Sequence, residues 1–185
     1  MVEETLQEAK ERMHKAIDAL RRELATIRTG RASPGLVEHL KVEYYGTPTP
    51  LNQLATITTP DARLIVIRPW DHGALGAVEK AILKSDLGLN PASDGTVIRL
   101  AIPPLTEDRR RELAKHVRKR VEDARVTVRN VRRDRHEHLR QAEHQHEISQ
   151  DDLHRAEIEL QKLTDEQILE IDSIGEEKEA ELLAS

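Results

Sequence analysis

Apolar residues recur every three or four positions over a long stretch, residues 106–147, that contains neither glycine nor proline. This spacing places the apolar side chains in one seam along a helix. At roughly 1.5 Å per residue the helix would reach about 60 Å, so other helices must cover it along its length. The seam consists of Leu113, Val117, Val121, Ala124, Val128, Val131 and Leu139.

Two other stretches show the same periodicity. Residues 5–28 form an amphipathic helix that Gly30 ends, and Ser149 and Asp152 have the capping-box spacing that starts a third helix. The capping-box spacing recurs at residues 164–167, inside the third helix. This allows a kink there, although a continuous helix with a polar outer face is the simpler interpretation. The apolar sets are Leu6, Ala9, Met13, Ile17, Leu20, Leu24 and Ile27, then Leu153, Leu160, Leu163, Ile171, Ile174 and Leu182. Together these helices predict an elongated antiparallel three-helix bundle.

The pattern changes between the first and second helices. All eight prolines and seven of the eight glycines lie between Gly30 and Pro104. Inside this window apolar residues recur about every second position, which predicts strands over residues 40–44, 54–58, 64–67 and 97–102. The third of these strands is expected to be buried on both faces. A stiff turn is expected over residues 46–50, and a short helix over residues 75–84.

The predicted fold class is therefore α+β, with a small β/α/β domain inserted between helices 1 and 2 of the bundle. Residues 1–29 and 106–185 form the bundle domain and residues 31–104 the insert. Two adjacent chain crossings, near 29–31 and 103–106, predict a hinge between the domains. Thr106 is the expected N-cap of the long helix. The predicted hinge residues are Thr29, Gly30, Arg31, Pro103, Pro104 and Leu105.

Composition narrows the class of protein. Charged residues make up 34% of the chain and aromatic residues 2%, which favours long solvated helices. The chain has no cysteine, no secretory leader pattern and no apolar run of roughly 20 residues, so we expect a cytoplasmic protein without a membrane span. The formal charge of −5 is unevenly distributed: residues 106–146 carry 13 basic against 8 acidic side chains, and residues 147–185 carry 3 against 13.

A basic stripe, Arg118, Arg125, Arg129 and Arg132, flanks the apolar seam of the long helix. Two interpretations stay open: contact with RNA phosphates, and pairing with the acidic third helix. Because Glu122 lies four residues before Val126 rather than before an arginine of the stripe, local pairing explains the stripe less well. The pattern therefore favours RNA contact.

No motif indicates catalysis. The phosphate-loop, dinucleotide, zinc-protease and hydrolase-elbow motifs do not occur, and no two of the nine histidines are four residues apart. We therefore predict that the protein is not an enzyme and has neither a metal site nor a cofactor. Tyr44, Tyr45 and Trp70 are expected to pack in the core or at an interface.

Five stretches of the chain resemble the bacterial ribosome recycling factor family. They are IRTGRASP at 27–34, VEYYGTPTPL at 42–51, SDLGLNP at 85–91, PPLTE at 103–107 and ARVTVRNVRRD at 124–134. They follow the family's order over nearly the whole chain. Residues 135–147, which are rich in histidine, and residues 61–76 depart from the family pattern.

This resemblance implies a hinged, L-shaped translation factor. With elongation factor G and GTP, such a factor separates the subunits of the post-termination ribosome, and its bundle lies on large-subunit ribosomal RNA. Elongation factor G hydrolyses the GTP and moves the smaller domain. The arginines expected to contact RNA are Arg28, Arg31, Arg110, Arg129 and Arg132.

Two other function classes stay open on the residues alone. A general structured-RNA-binding or RNA-chaperone protein would use the same basic stripe, and a coiled-coil scaffold would need only the helices. Because the three seams can cover one another within one chain, we expect a monomer.

Overall fold

The computed structural model describes residues 1–184, which fold into long helices and a small sheet domain, an α+β arrangement. The helices are α1 (Val2–Ala25), α2 (Leu75–Lys84), α3 (Glu107–His144) and α4 (Gln150–Ala184). The strands are β1 (Lys41–Tyr44), β2 (Thr47–Pro50), β3 (Ala55–Asp61), β4 (Leu64–Pro69), β5 (Pro91–Ser93) and β6 (Ile98–Ala101). Contacts divide the chain into two compact units, residues 1–24 with 111–180, and residues 25–110 with the C-terminal residues from 181 onward.

The first unit is a helical bundle whose directions are shown by its ion pairs. Between α1 and α3, Arg12 meets Asp134 at 2.6 Å and Glu23 meets Arg120 at 3.5 Å, so residue numbers rise on one helix as they fall on the other. The ion pairs between α3 and α4 join Arg118 to Glu179 and Arg125 to Asp172, so here too residue numbers rise on one helix as they fall on the other. Both contacts are therefore antiparallel, as the sequence predicts.

The predicted seam of α3 is confirmed, because all seven of its residues are buried. In α4 the helix is continuous, but two polar residues differ from the prediction. Thr164 and Gln167 are buried rather than on a polar outer face. The Thr164 hydroxyl donates to the Leu160 carbonyl oxygen at 2.7 Å, and this local bond lets a polar side chain face the core.

The predicted helix starts are confirmed. The Arg109 amide donates to the Thr106 hydroxyl at 3.2 Å. At α4 the Asp152 amide donates to the Ser149 hydroxyl at 3.0 Å, and the Ser149 amide donates to the Asp152 carboxylate at 3.3 Å, which is a reciprocal capping box.

The end of α3 gives one histidine of the His-rich segment a structural role. His146 has a φ of 61° and lies directly after the last turn. Its amide donates to the Glu143 carbonyl at 2.9 Å, and the Glu147 amide donates to the Ala142 carbonyl at 2.8 Å. This is a Schellman motif in which His146 takes the left-handed position that glycine usually fills.

The second unit contains two antiparallel sheets, a two-stranded one with order β1-β2 and a four-stranded one with order β3-β4-β6-β5. Helix α2 covers an apolar core drawn from both sheets. The central members of this core are Val42, Ile65, Ile67, Val78, Ile82, Ile98 and Leu100, none more than 1% exposed.

Three strand predictions are corrected. Residues 47–50 form β2 rather than a stiff turn, because Tyr45 and Gly46, at φ 50° and 78°, make the reversal alone. Pro48 and Pro50 are tolerated since β2 pairs on one edge only. Strand β4 was expected to be buried on both faces, but its residues 64–67 alternate half-buried and buried, so only one face is buried. Strand β5 is an additional strand that the sequence pattern does not predict.

The prediction for the aromatic residues is only partly correct. Tyr45 is 85% and Trp70 65% exposed, so neither is a core residue. Tyr44 is half-buried, and its hydroxyl donates to Asp71 at 2.8 Å. That hydrogen bond raises the pKa of Tyr44 to about 12.

Gly175 of α4 provides a test of the packing between α3 and α4. A Cβ atom at this position would lie 2.7 Å from Cγ2 of Val121. For Gly175→Ala, overpacking of about 1–3 kcal/mol should exceed the roughly 1 kcal/mol gained in helix propensity. We expect lower stability in urea unfolding followed by circular dichroism.

Gly76→Ala is the matched control, because a Cβ at residue 76 of α2 meets nothing within 4 Å. Adding Val121→Ala to Gly175→Ala should recover part of the loss, since it removes the clashing methyl group. Equal stabilities of the wild-type and Gly175→Ala proteins would show that the two helices are not held this closely.

Candidate nucleic-acid interface

Two of the four arginines of the basic stripe on α3 are neutralised by carboxylates of α4. Arg118 Nε donates to Glu179 of α4 at 2.8 Å, and Arg125 Nε donates to Asp172 of α4 at the same distance. Arg125 also binds Glu122 at 2.9 Å. These carboxylates raise the pKa of the Arg125 guanidinium, the Asp172 hydrogen bond most strongly. Arg118 and Arg125 therefore join α3 to α4.

The sequence-based argument against local pairing was wrong. Glu122 lies three residues before Arg125, a spacing that also brings side chains together on a helix. Its other oxygen lies 3.7 Å from Arg129, which is a looser contact. Pairing with the third helix, the alternative left open by the sequence, occurs at two of the four positions.

Arg132 differs from the rest of the stripe. It is half-buried, and no hydrogen bond or ion pair is found for it within residues 1–184. Arg129, one turn earlier, is exposed. The family resemblance selected three arginines on this helix, and the two that belong to the stripe, Arg129 and Arg132, are its least neutralised members.

A network beside Arg132 joins α3 to α1. Asp134 accepts from Arg12 at 2.6 Å and from Arg135, and Arg135 also donates to Glu8. The Arg12 hydrogen bond, with that of Arg135, holds the pKa of Asp134 below its usual range. These bonds fix the position of the helix turn that carries Arg132.

The structure shows a second set of cations that the sequence reasoning missed. We call it the outer ridge: Lys115, Lys119, Arg133 and Arg140 on α3. All four are exposed, and none has a hydrogen bond or ion pair in the part of the chain that the structure describes. Their spacings of four, fourteen and seven residues place them on one side of the helix, opposite the apolar seam. A helical wheel of α3 that marks the charged residues relative to the apolar seam would have shown the outer ridge from the sequence.

The remaining predicted RNA-contacting residues lie in the second unit. Arg28 donates to the carbonyl oxygen of Asp86 at 3.1 Å, and Arg31 is exposed. Arg110 is half-buried, and its Nε is buried without a hydrogen-bond partner among the described residues.

The predicted hinge residues have varied surroundings. Thr29 and Gly30 are buried, and Gly30 has a φ of 76° that favours glycine. Pro103 and Pro104 are exposed, and Leu105 is half-buried. Helix α1 ends at Ala25, three residues before the predicted end. The β-branched residues that follow have low helix propensity.

Other classes of site are not found in residues 1–184. No group of three or more His, Asp or Glu side chains there could hold a metal ion. None of the helices in this range has the length and hydropathy required to cross a bilayer.

Comparison with known proteins decides the family. The family model described as ribosome recycling factor matches residues 20–183. The chain belongs to the ribosome recycling factor family. The ribosome-recycling factor of Geobacillus kaustophilus is 57% identical over 183 residues, covering 99% of both chains. That of Carboxydothermus hydrogenoformans is 55% identical over 184 residues, covering 100% of both.

Solved structures agree with this family assignment. A solution structure of the ribosome recycling factor has a TM-score of 0.82 at 48% identity, covering 100% of this chain and 98% of the other. A second structure contains the T. thermophilus ribosome recycling factor with E. coli elongation factor G on the E. coli post-termination complex. Its factor has a TM-score of 0.71 at 48% identity and 99% coverage of both chains.

Asp134→Asn tests the network beside Arg132. The pKa of Asp134 is lowered in the folded protein, so its contribution to stability is present above the ordinary value of 3.8 and is lost as the pH falls through the folded pKa. The variant should be less stable than wild type at pH 7, and the difference should close as the pH drops below 3.8. Urea unfolding across this pH range measures it.

Asp18→Asn is the control, since Asp18 is exposed in the middle of α1 with no ion pair within residues 1–184. Its effect should be small at every pH. A loss for Asp134→Asn that persists unchanged at low pH would mean that the ion pairs do not stabilise the bundle.

Proposed function

We propose that this protein is a cytoplasmic translation factor that disassembles the post-termination ribosome complex into subunits, acting with elongation factor G and GTP. The observation that carries this proposal is a relative, 48% identical over 99% of both chains, that is bound with elongation factor G to the post-termination complex. The partner hydrolyses the GTP, and this chain contributes no catalytic residue, metal or cofactor. It acts as a monomer.

In this proposal the bundle binds large-subunit ribosomal RNA through α3. Arg129 and Arg132 contact phosphates, and the outer ridge extends the contact along the same helix. Guanidinium groups suit this role because they bind phosphate oxygens in pairs and fix position without reading sequence. The absence of protein partners for Arg132 and the ridge in residues 1–184 supports the assignment, since these charges are available to a polyanion.

Arg28, Arg31 and Arg110 provide the remaining phosphate contacts. We further propose that the bundle domain, residues 1–29 and 106–185, bends against the insert, residues 31–104, at Thr29, Gly30, Arg31, Pro103, Pro104 and Leu105. The positive φ of Gly30 supports a special role for that residue. A partner that moved the insert could then stress the RNA contacts of the bundle.

A splitting assay tests the proposed function. Purified protein should convert post-termination ribosomes to subunits only when elongation factor G and GTP are both present. Light scattering or sucrose-gradient sedimentation measures the conversion. A protein that binds unrelated structured RNAs as tightly as ribosomes, and does not split them, would be a general RNA-binding protein instead.

Arg132→Ala and Arg133→Ala test the RNA contacts. Each should weaken ribosome binding about tenfold, the loss expected for one hydrogen bond to a charged group. Each should also make the negative slope of the log binding constant against log salt concentration shallower by about 1. Helicity should be unchanged because neither side chain bonds within residues 1–184.

Arg118→Ala is the matched control, since it removes one positive charge from the same helix at a residue already paired with Glu179. Ribosome binding should change by less than about threefold there. If Arg118→Ala weakened binding as much as the other two changes, net charge rather than an oriented face would explain the affinity.

A further inference from the structure

A groove on the bundle, away from the arginines of α3, has no role in the proposed function. It is shallow and widely open to solvent, lies between the first three turns of α1 and the third and fourth turns of α4, and has a volume of about 790 Å³. Leu6 and Leu163, both half-buried, form its apolar surface. The sequence pattern assigned both leucines to the apolar seams, but neither is fully covered.

The rim of this groove is strongly acidic. Its charged residues are Glu3, Glu4, Glu8, Glu11, Glu159 and Lys10. Two of the carboxylates are engaged: Glu8 binds Arg135, and Glu11 accepts from Gln7 at 3.3 Å. Glu3, Glu4 and Glu159 have no hydrogen bond or ion pair in the described part of the chain, so their charges face solvent around the two leucines.

We propose that this groove binds a short, basic, amphipathic helix of a protein partner. The stretch from Glu3 to Glu11 spans about 12 Å, which matches roughly two turns of a helix. Two apolar side chains one turn apart would cover Leu6 and Leu163, while lysines or arginines beside them reach the glutamates on both helices. This is helix-in-groove recognition with charge complementarity at the rim.

The chemistry of the groove selects against other occupants. RNA would bring phosphates against five glutamates with one lysine between them, which is repulsive. A small polycation could meet the carboxylates but would leave the leucine surface exposed. The inference does not depend on the ribosomal role, because it rests only on the groove.

A synthetic peptide of about 14 residues, with leucines at i, i+3, i+4 and i+7 and lysines elsewhere, is the probe. Titrated into the ¹⁵N-labelled full chain, it should shift the amide signals of Leu6, Gln7 and Leu163 and leave those of the α3 outer ridge in place. Glu4→Gln with Glu159→Gln should weaken binding about fivefold or more, the effect of two lost rim charges.

Matched controls come from α4 itself. Glu176→Gln with Glu177→Gln removes the same charge from exposed positions outside the groove and should leave the affinity within about twofold. Leu163→Ala should weaken binding, whereas Leu169→Ala, at a leucine that is 69% exposed and outside the groove, should not. Melting curves of the variants check that each is folded.

Several results would overturn the proposal. Peptide binding that falls equally in both glutamate double variants would be diffuse electrostatic attraction. Spermidine producing the same shifts at similar affinity would make the groove a polyamine site. A dimer in sedimentation that the Glu4 and Glu159 changes abolish would make the occupant a second copy, and unshifted groove signals would exclude a basic helix altogether.

Discussion

The antiparallel contact between α3 and α4 is the constraint on which the bundle depends. A 38-residue helix with an apolar seam gains most of its stability from the packing of that seam against other helices. Helix α4 covers its apolar seam and supplies Asp172 and Glu179 to two of its arginines. Gly175 permits the close approach, because any larger residue would meet Val121. Packing and charge neutralisation therefore act along the same interface.

This interface also divides the basic residues of α3 into those paired with α4 and those without a partner within residues 1–184. Arg118 and Arg125, on the flank toward α4, are held by carboxylates and are therefore less available to a polyanion. Arg132, although it lies on the same flank, and the outer ridge have no hydrogen bond or ion pair within residues 1–184. In the proposed function the neutralised residues hold the helix in place and the others bind phosphate. A chain with a formal charge of −5 can then still present a basic face.

Positive and negative charges are concentrated on different parts of the bundle. On α3, Arg132 and the outer ridge are cations without a partner in the described part of the chain, whereas the groove between α1 and α4 is rimmed by glutamates. In the proposed function this separation of charge orients the molecule against RNA, since one side is attracted and the other repelled. It also leaves the acidic side available to the basic helix proposed above.

The sequence by itself determined the helices, the seam of α3, the capping residues Thr106 and Ser149, and the family, because these depend on local spacing and short motifs. Tertiary structure alone decided which arginines are neutralised, since pairing depends on the register of α3 against α4. It also decided that Thr164 faces the core and that the Thr47–Pro50 segment pairs as a strand. For the arginines the partners are distant in sequence, whereas Thr164 is accommodated by its hydrogen bond to Leu160 and residues 47–50 by the reversal at Tyr45 and Gly46.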